Sequence, residues 1–159
     1  MDIQLFRIDD RLIHGQVVLG WANYLQSKRI FLCDNLVVQN EWEKELYLSC
    51  VPSHLQSVIL SIHETTSYLL NESVPDDKTI VLVRSPRVLI EIAESGFSPR
   101  NVNLGGMHYM ENRRQYLPYV FLSDEDINDI KILINMGISI YCQDLPTSKK
   151  YNILDVLKN

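Results

Sequence analysis

Short apolar runs alternate along the chain with segments whose apolar residues recur at helical spacing. The runs predict strands over Ile3 to Ile8, Arg29 to Cys33, Gln56 to Ser61, Thr79 to Val83, Asn101 to Leu104, Pro118 to Leu122 and Ile138 to Cys142. The helical period predicts helices near Gln16 to Leu25, Glu41 to Cys50, Glu64 to Leu70, Arg87 to Ser95 and Asp124 to Met136. The last is the clearest: Ser123 can cap it, Asp126 sits three positions on, and Ile127, Ile130, Leu133 and Ile134 form one face before Gly137. Runs such as Val58-Ile59-Leu60 and Ile80-Val81-Leu82-Val83 are apolar throughout, as strands are when helices cover both faces of a parallel sheet. The expected fold is therefore α/β, an open, mostly parallel sheet of about seven strands with helices on both faces. From Leu104 to Pro118 no period is evident, and a long loop carrying Gly105, Gly106, His108, Arg113 and Arg114 is expected.

The 159 residues fit one domain spanning 1–159, and 46% apolar with 22% charged residues is ordinary for a globular chain. A net charge of −5 gives no general basic field, so nucleic acid is not an expected partner. Cys33, Cys50 and Cys142 form no CxxC pair and are expected as reduced thiols filling the core of a cytoplasmic protein. The N-terminus lacks the basic start and apolar centre of a signal peptide, and no segment approaches the roughly 20 apolar residues of a membrane helix.

In open α/β sheets ligands bind beyond the carboxyl ends of the strands, so the residues that follow each predicted strand are the candidates for chemistry. They are Asp9, Asp10, Arg11, His14 and Gly15 after the first, Asp34 and Asn35 after the second, Arg84 and Ser85 after the fourth, and Gly105 and Gly106 after the fifth. The first loop sets an imidazole, the guanidinium groups of Arg7 and Arg11, and Gly15 just before a helix. Each suits a phosphate: helix starts present free N–H groups, glycine permits close approach, and arginine forks match phosphate oxygens. Neutral imidazole at His14 can act as a nucleophile, with Asp10 holding its other nitrogen or steering Arg11.

Other chemistries lack their devices. There is no GxxxxGK[ST] loop, no GxGxxG after a strand and no GxSxG elbow, and His54 and His63 have no partners at zinc spacing. A receiver domain of the two-component type would need an aspartate ending its third strand and a lysine after its fifth, where this chain has Leu60-Ser61-Ile62-His63 and Leu104-Gly105-Gly106.

The run Arg7-Ile8-Asp9-Asp10-Arg11-Leu12-Ile13-His14-Gly15-Gln16-Val17, followed by Trp21, resembles the N-terminal signature of IIB components of the mannose/fructose/sorbose family of the bacterial phosphoenolpyruvate-dependent sugar phosphotransferase system. The resemblance continues in Asn103-Leu104-Gly105-Gly106-Met107, Glu125-Asp126, Gly137 and Pro146, and is loose from Asn35 to Thr79. It implies a phosphocarrier that receives a phosphoryl group from a IIA component on His14 and passes it to a hexose imported through IIC and IID membrane components. His14, Arg11 and Asp10 are then expected to carry the transfer, and Arg7, Arg11, Gly15 and Gln16 to hold the phosphate, with no cofactor or metal. The resemblance further implies a place at the inner face of the cell membrane, and self-association in some members.

Overall fold

β1 (Asp2–Asp9) lies near the middle of a seven-stranded sheet and is followed by α1 (Gly15–Leu25), β2 (Arg29–Cys33), α2 (Asn35–Val38), α3 (Glu41–Ser49), β3 (Gln56–Leu60), α4 (Ile62–Leu70), β4 (Lys78–Val83), α5 (Pro86–Glu94) and β5 (Asn101–Gly106). The chain continues through β6 (Arg114–Leu117), β7 (Val120–Leu122), α6 (Asp124–Asn135), β8 (Ser139–Cys142), β9 (Tyr151–Asn152) and α7 (Ile153–Leu157). The computed structural model describes every residue except Glu72, and of those every side chain except Gln16 and Val17. No helix among the described residues is long and apolar enough to cross a membrane.

The sheet order is β3-β2-β4-β1-β5-β8-β9, parallel throughout except for β9, which runs antiparallel to β8. The two-residue period of the strands divides the core. Phe6, Ile8, Phe31, Val81, Val83, Val102 and Leu104 face one cluster with α4, α5, α6 and α7, while Leu5, Ile30, Leu32, Ile80 and Leu82 face a second cluster with α1, α2 and α3. Helices thus cover both faces, as the apolar runs predict.

The strand expected over Pro118 to Leu122 is not in this sheet. Val120–Leu122 pairs antiparallel with Arg114–Leu117 in a separate hairpin, and Pro118, which has no N–H to give a ladder, turns with Tyr119 between them. Its place in the sheet is taken by the two-residue β9. Part of the expected long loop is therefore strand. Cys33 and Cys142 are buried as expected, but Cys50, expected in the core, is exposed at the C-cap of α3.

Helix boundaries follow the capping signals. Ser123 and Asp126 form a reciprocal capping box on α6, and Ser61 and Glu64 form one on α4. Asp34 caps α2 through Leu36 and Val37 N–H and also accepts from Arg84 at 2.7 Å, while Ser85 caps α5. Several polar residues at the carboxyl edge are thereby spent on building the edge itself.

Candidate functional site

β1 is flanked by β4 and β5, and the chain leaves β1 toward one face of the sheet and β5 toward the other. The cleft between the carboxyl ends of β1 and β5 is a topological switch point, where open α/β sheets bind ligands. His14 stands in it as the N-cap of α1, with extended backbone and no side-chain capping bond.

The loop that carries His14 is fixed at both ends. Asp10 N donates to Gly106 O at 3.0 Å and Leu12 N to Asp9 O at 3.0 Å, closing a tight turn. Leu12 has φ +60°, a conformation that costs a residue with a Cβ about 1–2 kcal/mol, and it is held there by full burial with Ile13, Val18 and Trp21. Burial of this leucine sets where His14 emerges.

Asp9 is the centre of the site. Its carboxylate is fully buried and accepts from Arg11 Nε (2.9 Å), Arg11 Nη2 (2.9 Å), Arg11 backbone N (3.1 Å), Arg7 Nη2 (3.0 Å) and Arg7 Nε (3.3 Å). His14 Nε2 is also buried and lies 3.5 Å from Asp9 Oδ2, with no hydrogen-bond partner among the described residues. Burial pushes the Asp9 carboxyl up, but the close approach of the His14 ring, the bonds from Arg11 and the charges of Arg7 and Arg11 outweigh it and hold the group well below the usual carboxylate range. A permanent anion therefore faces the inner nitrogen of His14.

Asp10, expected to hold His14 or steer Arg11, does neither. It points across the cleft to His108 and Arg113, and Asp9 fills the role expected of it. The reason is parity: along β1, Leu5, Arg7 and Asp9 project to the side of α1, and the next residue projects to the other.

Arg7, expected at the phosphate, lies buried beneath Asp9. Nε and Nη2 serve Asp9, Nη1 serves Asn103 Oδ1 and Gln143 O, and Nη2 also serves Asp144 O, which occupies all five guanidinium N–H groups inside the core. Its guanidinium lies 5.6 Å from the Trp21 ring, whose Nε1 donates to the same Asp144 O. Burial lowers the affinity of Arg7 for its proton, against the pull of Asp9. Arg7 braces Asp9 and has no N–H left to offer outward.

Arg11 is different. Its side chain is 40% exposed, forks onto Asp9, and keeps Nη1 without a partner among the described residues. Gly105 and Gly106 make room for both arginines: a Cβ on Gly105 would sit 1.8 Å from Arg7 Cζ, and one on Gly106 2.6 Å from Arg11 Nη2. Gly15 has open space around its Cα at the helix start, and the Gln16 side chain lies outside the described residues. Asn103, Gln143 and Asp144 join the site without a local sequence signal beyond the place of Gln143 and Asp144 just after β8; Asn103 lies inside β5.

The fold and this edge define an α/β domain with a histidine mounted on a buried carboxylate at the switch point. The chain belongs to the family of IIB components of phosphotransferase systems, matching the model for the PTS system sorbose subfamily IIB component over residues 3–159. It is 28% identical to the PTS system fructose-specific EIIB component of Bacillus subtilis (strain 168), across 100% of this chain and 98% of that one. It is 27% identical to the PTS system mannose-specific EIIAB component of Escherichia coli (strain K12), across 99% of this chain and 49% of that longer one. The crystal structure of the IIB domain of the sorbose permease from Klebsiella pneumoniae superposes with a TM-score of 0.92 at 27% identity, across 99% of this chain and 97% of that one.

Proposed function

We propose that residues 1–159 act as one sugar-specific IIB phosphocarrier domain, which accepts a phosphoryl group from a IIA component on His14 and transfers it to a hexose entering through IIC and IID membrane components. The supporting observation is the mounting of His14: Nε2 is shut in against the Asp9 carboxylate while the side chain as a whole is 25% exposed, which leaves Nδ1 as the nitrogen for a phosphoryl group. A carboxylate on Nε2 favours the N–H there, and so the lone pair at Nδ1.

Phosphoryl transfer asks a protein chiefly for positioning and for neutralisation of charge on the equatorial oxygens. Arg11 Nη1, unpartnered among the described residues, and the first backbone N–H groups of α1, with the positive end of its dipole, supply both. Asp9 stabilises the imidazolium character that His14 gains while it carries the phosphoryl group. A IIA partner agrees with the relative named EIIAB, of which this chain spans about half. Relatives named for fructose, mannose and sorbose suggest a hexose and leave its identity to IIC and IID. Delivery to an entering sugar places the domain at the cytoplasmic face of the membrane.

The test is to incubate the protein and its His14→Ala variant with phosphoenolpyruvate, the general phosphotransferase proteins and a cognate IIA component. An acid-labile, alkali-stable label on the parent and none on the variant is expected, with both proteins shown to be folded by circular dichroism. Equal labelling of the variant overturns the assignment of His14. No label on a parent exposed to charged IIA overturns the carrier function.

A further inference from the structure

Asp9 and Asp10 are consecutive carboxylates that serve two different imidazoles. Asp10, 7% exposed, accepts from His108 backbone N at 3.1 Å and from Arg113 Nη1 at 2.8 Å, and the His108 ring sets Nδ1 2.8 Å from its Oδ2. Arg113 is in turn tied to Asp126 in the cap of α6 (3.1 Å) and to His108 O (3.0 Å), so the carboxylate and the loop that carries His108 are held as one unit. His108 follows Gly106 by two residues, and Gly106 pairs with Asp9 at the end of β1. The two histidines thus follow the carboxyl ends of the adjacent strands β1 and β5.

Their orientations are complementary. His14 turns Nε2 inward to Asp9, whereas His108 turns Nδ1 inward to Asp10, with 61% of its side chain exposed. A carboxylate on Nδ1 fixes the proton there and leaves the Nε2 lone pair outward, the arrangement of a histidine general base. A solvated loop histidine would need no buried carboxylate held beside its ring by its own backbone N–H and by Arg113.

The geometry points to His108 as a second catalytic residue, the general base of the delivery step, with Asp10 as its positioning residue; this rests on His14 being the carrier. In delivery, a sugar hydroxyl oxygen bonds to phosphorus as the phosphorus–Nδ1 bond of His14 breaks, and that electron pair returns to the His14 ring. The hydroxyl proton moves to His108 Nε2, where Asp10 stabilises the imidazolium until the proton is lost to water. Charging from the IIA component has no such proton, because the neutral nitrogen of His14 attacks with a lone pair. His108 is thus needed in one half-reaction and not in the other.

That asymmetry is measurable. The parent, His108→Ala, His108→Gln and Asp10→Asn are first charged by a phosphorylated IIA component without membranes. The isolated phosphoproteins are then mixed with vesicles carrying the cognate IIC and IID components, using whichever of mannose, fructose, sorbose or N-acetylgalactosamine the parent phosphorylates fastest. We expect all variants to charge within about twofold of the parent, and sugar phosphate formation by both His108 variants to slow about 100-fold, the lower range for loss of a general base. Added imidazole should restore part of the rate to His108→Ala, and Asp10→Asn should slow delivery more mildly.

Delivery at the parental rate by His108→Ala overturns the proposal, as does equal slowing of both steps, which marks a docking contact instead. Parental delivery by His108→Gln also overturns it, since a hydrogen-bond donor would then suffice. A parent that takes no label contradicts the carrier function itself, whereas labelled variants that deliver normally contradict only the role of His108.

Discussion

The guanidinium of Arg7 occupies the space in which a side chain on Gly105 would stand, with Cζ 1.8 Å from an ideal Cβ at that position. The glycine is needed because the arginine is buried beside it, and the arginine is buried because Asp9, Asn103 and the carbonyls of Gln143 and Asp144 receive all its protons. Gly105→Ala must displace either the β5 backbone or a buried, fully bonded cation. We expect a loss of about 3 kcal/mol or more in chemical denaturation, from overpacking and disruption of a buried ion pair together. A loss below about 1 kcal/mol would mean that Arg7 has another place to go.

The two arginines around Asp9 should separate by the kind of damage they cause. Arg7→Met takes from the buried Asp9 two of the five hydrogen bonds it accepts and should cost about 3–5 kcal/mol of stability. Arg11→Gln removes a half-exposed fork and should change stability by only about 1 kcal/mol, yet slow phosphoryl transfer by about 100-fold through the loss of its outward N–H groups. Denaturation curves and charging rates on the same preparations test this. A stable but slow Arg7→Met protein would return Arg7 to the phosphate.

Much of this arrangement is legible in the sequence. The apolar runs give the parallel strands within a residue or two, and the cap Ser123 with Asp126 gives the start of α6, whereas Ser61, expected to end a strand, and Ser85, expected among the candidates for chemistry, cap α4 and α5. The choice between Asp9 and Asp10 was also available: strand parity along Leu5, Arg7 and Asp9 puts Asp9 on the side of the following helix. What periodicity does not carry is the convergence of chain-distant groups. Nothing local to Asn103, Gln143 or His108 shows which of them meets Arg7 or Asp10, because the strand order that brings β5 and β8 beside β1 is set by tertiary packing. Pairs as short as β9 leave too few residues for a period to show.

Acid should act through Asp9. A carboxyl whose native pKa is depressed contributes stability that is fully present above its unfolded value near 3.8 and is lost as pH falls through the native value. The parent should therefore lose stability steeply below about pH 4. Asp9→Asn should be less stable at pH 7 and show a shallower loss over that acid range. Urea denaturation of both proteins at pH 7, 5, 4 and 3 gives the comparison; parallel curves would show that Asp9 is not the group that titrates.

The cysteines provide a check on the fold that is independent of the active edge. Burial pushes the Cys33 thiol up to about 11 and the Cys142 thiol up to about 12, and both are closed to solvent, whereas Cys50 is exposed at the end of α3. Alkylation needs the thiolate and access together. At pH 8, iodoacetamide should modify one thiol per native chain, at Cys50, and three per chain unfolded in guanidinium. Mass spectrometry of peptides from the native reaction locates the modified residue. Early modification of Cys33 would show that the end of β2, where Asp34 meets Arg84, opens on the timescale of labelling, and would weaken the picture of a rigid carboxyl edge.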